Sequence, residues 1–270
     1  KPLVIALHGC NQSAGALART SDWNRMADEH DFYLIYPEQK ILNNPSRCFN
    51  WFREKDFSGH RGEVASLHQM VKYMFENYEI DSSKVFIYGL SAGAAMSVAY
   101  MANHPEIIHS GAIFAGSAYG MASNGVEGVK CMMKPSKLRE EEWISRFQAA
   151  RPDYVGPYPR LIAVHGTSDR VVHFTNSFQL VKQFAGLHKA ESNSTKTGIP
   201  FGEQIDRKVY TDSSGVEKVV FYLIDGIGHQ LGVDPGTDSL QGGRTGAFAK
   251  DIDFFSTYYI VKDFGLLKSR

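Results

Sequence analysis

The sequence predicts an α/β fold with a mostly parallel sheet and helices on both faces. Three observations predict it. Short apolar runs recur along the chain with helical stripes between them, glycine-containing polar loops follow several of those runs, and no repeat, low-complexity tract or linker interrupts the 270 residues. The chain is therefore expected to form a single domain over 1–270, with 116–159 an insertion that shapes the mouth of a pocket.

The elements follow in order. Leu3 to Leu7 is a continuous apolar run, as in a strand covered on both faces, and ends in the polar loop His8-Gly9-Cys10-Asn11-Gln12-Ser13. Trp23 to Glu29 reads as a helix capped by Ser21 or Asp22. Phe32 to Tyr36 is a second strand, closed by Pro37, and Glu38 to His60 a long ordered loop of the kind that often carries function. Val64, Leu67, Val71, Met74 and Phe75 lie at helical spacing within Gly62 to Tyr78. A strand over Val85–Tyr88 runs into a helix that stops before Pro105, and Gly111–Ala115 is another strand. The expected insertion holds a helix near Glu140–Ala149. Leu161–Val164 is a strand and Thr175–Leu187 a helix. Val209–Tyr210 and Val219–Leu223 pair across Asp212-Ser213-Ser214-Gly215, and a last helix spans roughly Phe248 to Phe264.

Composition excludes several classes. Twenty-nine basic residues balance 29 acidic ones, and no basic stripe or polybasic segment points to nucleic acid or an anionic membrane surface. No apolar stretch is long enough to span a bilayer. His-Glu-x-x-His, Cys-x-x-Cys, P-loop and dinucleotide fingerprints are missing, so no metal or cofactor is expected. Lys1 to Leu7 is already strand-like with no basic-then-apolar leader, so any export signal is expected to have been removed or never to have belonged to this chain. Three cysteines are too few for a disulfide scaffold: Cys10 and Cys48 are the pair to bridge if any does, the alternative being three reduced, buried thiols. Asn11-Gln12-Ser13 and Asn193-Ser194-Thr195 match the glycosylation acceptor pattern.

The most informative stretch is Val85-Phe86-Ile87-Tyr88-Gly89-Leu90-Ser91-Ala92-Gly93-Ala94. β-prone residues lead through Gly-Leu-Ser-Ala-Gly into small, helix-compatible ones, the layout of a strand, a tight turn and a helix with one serine at the apex. Glycines flank the turn because larger side chains would clash there. A serine hydroxyl becomes a nucleophile only with an imidazole to take its proton and a carboxylate to orient that imidazole. Asp169 and His229 lie in loops after later strands, in the required order Ser, acid, His. Asp169 could instead be a turn residue or a cap for the next helix. Asp225 is a competing acid, but it sits only four residues before His229 on the same loop. His165 and His8 are expected to be structural, and His104 and His109 to lie on the surface. The backbone N–H groups of Ala92 and Cys10 are placed to hold an oxyanion. A sugar on Asn11 would crowd that loop. Trp51, more than Phe49 or Phe52, is the candidate wall of a substrate subsite, packing being the alternative for all three.

Leu7-His8-Gly9-Cys10-Asn11-Gln12-Ser13-Ala14, Trp23-Asn24-Arg25-Met26-Ala27, Tyr36-Pro37-Glu38-Gln39, Cys48-Phe49-Asn50-Trp51-Phe52 and the Ser91 turn together resemble the poly(3-hydroxybutyrate) depolymerase and esterase family of α/β-hydrolases. The resemblance continues through His165-Gly166-x-x-Asp169 to the His229 loop. It implies an α/β-hydrolase fold, a Ser91–Asp169–His229 triad, an oxyanion donor at Cys10, and Trp51 near the substrate. It also implies a secreted or periplasmic enzyme that cleaves short-side-chain 3-hydroxyalkanoate polyesters or oligoesters. Feruloyl and acetylxylan esterases share this fold and give the alternative substrate class. An inactive hydrolase-like binding module is the non-enzymatic alternative, which a missing triad member would mark; none is missing. Related sequences often carry an aromatic beside the catalytic histidine, where this chain has Gln230-Leu231-Gly232.

Overall fold

Consecutive apolar residues in a strand point to opposite faces, so runs such as Leu3–Leu7 are stable only when both faces are covered. The computed structural model, which describes all residues except 60, 135–137, 194–203 and 269–270, covers them in that way. In chain order the elements are β1 (Leu3–Leu7), α1 (Ala14–Ser21), α2 (Trp23–His30), β2 (Tyr33–Ile35), α3 (Glu54–Phe57), α4 (Gly62–Asn77), β3 (Val85–Leu90), α5 (Ala92–Asn103), β4 (Ser110–Phe114) and α6 (Gly125–Met133). They continue with α7 (Glu140–Gln148), β5 (Arg160–Gly166), α8 (Thr175–His188), β6 (Glu191–Asn193), β7 (Ile205–Thr211), β8 (Glu217–Ile224), β9 (Leu231–Val233), β10 (Ala249–Asp251) and α9 (Ser256–Asp263).

Among the described residues eight strands form one sheet in the order β2-β1-β3-β4-β5-β8-β7-β6. The six from β2 to β8 run parallel, and β7 and β6 add an antiparallel edge. Leu3, Ile5 and Leu7 of β1 and Ile87 of β3 face one core with α4, α5 and α8; Val4, Ala6, Phe86 and Tyr88 face the other with α2 and α9. On that second side Trp23 is wholly buried and meets Tyr88 edge-on at 5.2 Å between ring centroids. The strand order reverses direction at β1: β2 lies on one side of it and β3 on the other. The loops after β1 and β3 therefore open into one crevice, where parallel sheets build their sites.

Several boundaries differ from the sequence reading. The last helix begins at Ser256, not Phe248, because Asp253 takes a left-handed φ of 53° and residues 249–251 form a short parallel ladder with β9. Three helices lie outside the sequence reading: α1, whose Ser13 cap accepts from the Ala16 N–H at 3.1 Å, the single turn α3 within the expected loop 38–60, and α6 within 116–159. Glycines at 125 and 128 hide the α6 periodicity in the sequence. Asp22 precedes α2 but does not cap it through its side chain; its carboxylate takes the Arg25 Nε–H at 2.8 Å instead. His104 is not a surface residue. Its side chain is 12% exposed and its ring stacks on His68 at 4.0 Å, because the end of α5 lies against α4. Of the second glycosylation sequon, Ser194 and Thr195 fall outside the described residues. Among the described residues no helix is long and apolar enough to cross a membrane.

Candidate active site

Ser91 sits between β3 and α5 with φ 57° and ψ −119°, a region that costs a non-glycine residue strain and persists only where its surroundings enforce it. They do so on every side. The Ser91 N–H donates to the Phe114 carbonyl of β4 at 2.8 Å, and its own carbonyl starts α5 by accepting from Ala95 at 3.0 Å. A Cβ on Gly93 would collide with the carbonyl oxygens of Leu7 and His8, and one on Gly89 with the Gly93 backbone. The first turn of α5 can rest on β1 and β3 only because both positions are glycine.

The loop after β1 lies beside this turn: a Cβ on Gly9 would come within 3.3 Å of Ser91 Cβ. His8 is buried, with Nδ1 on the Gly9 carbonyl at 2.8 Å and Nε2 accepting the Gln39 N–H at 3.1 Å. Burial pushes its imidazole below the ordinary value, so it works as a neutral bridge. Cys10 is tied to Cys48 by a disulfide. Among the described residues neither the Cys10 nor the Ala92 backbone N–H donates to a protein acceptor, and both residues line the cavity in front of Ser91.

Asp169 and His229 arrive on two loops stitched to each other. Thr167 N–H donates to the Ile224 carbonyl at 2.9 Å, Ser168 N–H to that of Ile227 at 3.0 Å, and Gly226 N–H to Thr167 Oγ1 at 3.0 Å. The Asp169 carboxylate is fully buried, and its Oδ2 lies 2.7 Å from His229 Nδ1. Its Oδ1 accepts the N–H groups of Val171 and Val172 at 2.8 and 2.9 Å. His165 stands on the other side of Oδ2 at 3.2 Å, with Nε2 also 2.9 Å from the Val172 carbonyl and Nδ1 on Ser177 Oγ. Burial alone would push this carboxyl up. Hydrogen bonds from His165, His229 and the Val172 amide, with a favourable charge interaction from the His229 ring, outweigh it and hold Asp169 well below the usual carboxylate range. A carboxylate on Nδ1 fixes that nitrogen as the protonated one and leaves the Nε2 lone pair for other work.

Each expected residue can be placed. Asp225, the competing acid, is turned away: its Oδ1 accepts the Thr167 hydroxyl at 2.7 Å at the surface. Ser91, Cys10, Ala92 and Trp51 line one cavity of about 230 Å³. Phe49 is buried in the core against His8, at 5.1 Å between rings, so it is a packing residue. Phe52, by contrast, lines the cavity and packs on Gly125 and Gly128 of α6. Val129 and Met132 of α6 and Val172 beyond Asp169 complete the apolar wall. Sequence reasoning passed over these three; the i, i+3 spacing of Val126, Val129 and Met132 was the available signal. No hydrogen bond joins the Ser91 hydroxyl to His229 among the described residues.

Residues 1–198 match the family described as Esterase PHB depolymerase. The chain belongs to this family. It is 37% identical over 98% of its length to poly(3-hydroxyalkanoate) depolymerase C of Paucimonas lemoignei, and spans 64% of that protein. It is 29% identical over 86% of its length to feruloyl esterase B of Talaromyces stipitatus, spanning 65% of it. The chain thus covers just under two thirds of these two relatives. Among solved structures, an acetyl xylan esterase from Aspergillus awamori superposes with a TM-score of 0.75 at 20% identity, over 98% of this chain and 89% of that one, which establishes the α/β-hydrolase fold.

The disulfide closes a separation of 38 residues. Replacing Cys10 and Cys48 together by serine should lower the unfolding free energy by about 4 kcal/mol, the loop-closure entropy returned to the unfolded chain. Urea melts of the two proteins measure it; superimposable curves would show that the bridge constrains nothing.

Proposed function

We propose that the chain is a serine carboxylic-ester hydrolase acting through an acyl-enzyme on short-side-chain 3-hydroxyalkanoate polyesters or oligoesters. One observation carries the reading. A buried carboxylate holds His229 Nδ1 at 2.7 Å, on loops beside a cavity into which a strained serine opens at the start of a helix.

In this reading Ser91 Oγ attacks the ester carbonyl as His229 Nε2 takes its proton, a contact that tightens when substrate is bound. Asp169, ionised across the neutral range, steadies the imidazolium that forms. The oxyanion takes hydrogen bonds from the uncommitted N–H groups of Cys10 and Ala92, with the N-terminal end of α5 adding favourable field. His229 then returns the proton to the departing alcohol, and a water deacylates Ser91 by the reverse route. The apolar wall of Trp51, Phe52, Val129, Met132 and Val172 suits a short aliphatic acyl group. The Cys10–Cys48 bridge agrees with an oxidising compartment, secreted or periplasmic. A carbohydrate-linked feruloyl or acetyl ester is the second reading, favoured by the similarity to feruloyl esterase B.

Ser91→Ala should abolish hydrolysis of p-nitrophenyl butyrate while leaving the thermal midpoint nearly unchanged; retained turnover would move the nucleophile elsewhere. Substrate class is tested by turnover of polyhydroxybutyrate film, hydroxybutyrate trimer, methyl ferulate and acetylated xylan side by side. The trimer or film should lead, and a lead for methyl ferulate or xylan would select the second reading. Trp51→Ala should reduce trimer cleavage more than that of p-nitrophenyl acetate. Equal losses on both would return Trp51 to a packing role.

A further inference from the structure

The wall that carries Trp51 belongs to a long irregular segment, residues 38–53, with no strand or helix to hold it. Beyond a few local backbone turns and the Cys10–Cys48 bridge, its backbone is fixed by side chains. The hydrogen bonds that do so converge on Glu63, in the first turn of α4. Glu63 Oε1 accepts from Gln39 Nε2 and Asn50 Nδ2, each at 2.5 Å, and Oε2 accepts the Asn50 backbone N–H at 2.7 Å. Each of these partners passes the constraint on. Gln39 Nε2 also donates to the Cys48 carbonyl at 3.1 Å, and its backbone N–H is the one received by His8 Nε2. Asn50 Oδ1 accepts from Asn44 Nδ2 at 3.0 Å, Asn44 Oδ1 from the Ser46 N–H at 2.9 Å, and the Ser46 carbonyl from the Asn11 N–H at 2.7 Å. One carboxylate is thus tied on one side to the residue before Trp51, and on the other to both neighbours of the Gly9–Cys10 peptide.

Gly62 makes the arrangement possible. It has φ +72°, and a Cβ there would strike the Lys55 carbonyl and Asp56, so the start of α4 can lie against α3 only without a side chain. Glu63 itself is half-buried, out of contact with the Ser91 cavity, on a second and more polar cavity behind the segment. The mechanism above does not use it.

We propose that Glu63 is the positioning residue for the substrate wall, its ionised carboxylate holding residues 38–53 in the conformation that accepts an oligoester. The proposal rests on the reading of the chain as a serine ester hydrolase. A carboxylate offers four lone-pair sites and here receives three donors; a protonated acid or an amide presents a donor of its own to the same amides and breaks the set. The role therefore depends on charge. Burial pushes the Glu63 acid above its ordinary value, Asp56 pushes the same way, and the Asn50 and Gln39 donors oppose them. Glu38, Lys40, Arg53 and Lys55 face the same cavity and complete its charged surroundings.

The test compares wild type with Glu63→Gln on two substrates, p-nitrophenyl acetate and the methyl ester of the hydroxybutyrate trimer, from pH 4.5 to 8. Both substrates need the same serine and base, so the ratio of their kcat/KM values cancels the titration of the catalytic imidazole and reports the wall alone. In wild type that ratio should fall toward acid pH. In Glu63→Gln it should be lowered about tenfold at pH 8, through KM for the trimer ester, and should be flat with pH. Glu63→Asp, which keeps the charge on a shorter stem, should restore part of the loss and the pH dependence. An unchanged ratio in Glu63→Gln, an equal loss on both substrates, or a pH-dependent ratio that survives in Glu63→Gln would overturn the proposal. If Glu63→Gln does not fold, Asn50→Ser, which removes one side-chain donor and keeps the backbone N–H, must lower the ratio in the same direction, and no change there overturns the proposal too. Inactivity of wild type on both esters, or full activity in Ser91→Ala, would instead fail the underlying hydrolase reading.

Discussion

The close approach of α5 to the ends of β1 and β3 is the constraint on which the remainder of the molecule depends. With side chains at 89 and 93 the helix would have to lift off the sheet, and Ser91 would lose both its strained backbone and its place beside the Gly9–Cys10 peptide. Everything near the crevice follows from that contact. The strand order puts the loops after β1 and β3 next to each other, and the absence of two side chains lets them touch.

Two carboxylates, one buried and one half-buried, show how one fold sets opposite acid strengths. Asp169 receives imidazole and amide donors on both oxygens and is driven far down despite its burial. Glu63 is driven up by burial, with Asp56 adding to it, against the pull of its amide donors. For Glu63 burial outweighs the donors, whereas for Asp169 the donors from two imidazoles and the backbone outweigh burial. In the proposed chemistry the first group stays ionised, while the second takes a proton more readily than an ordinary glutamate.

Much of the fold was legible because parallel strands covered on both faces need unbroken apolar runs, and these stand out at Leu3–Leu7, Val85–Tyr88 and Leu161–Val164. Helices with regular stripes, such as Val64, Leu67, Val71 and Met74 in α4, were equally plain. What was misread has local causes. The apolar residues from Phe248 to Phe255 suit a helix by composition, but a left-handed Asp253 and pairing with β9 make them a strand and a bend. Glycines in α6 masked a helix whose Val129 and Met132 line the cavity. His104, beside a proline at a helix end, looked exposed, and only the packing of α5 on α4 shows it stacked on His68.

By itself the sequence determined the serine turn, the order of nucleophile, acid and base candidates, and the strands that carry them, because each depends on spacing within a few residues. Tertiary structure alone decided that Asp169 and not Asp225 meets His229, that Cys10 is bonded to Cys48, and that Phe52 faces the cavity while Phe49 is buried. It also decided that Glu63 gathers the amides of residues 38–53. These are choices between chemically equivalent partners far apart along the chain. Only the path of the backbone, set by which strands lie side by side, brings one partner within reach and leaves the other in water.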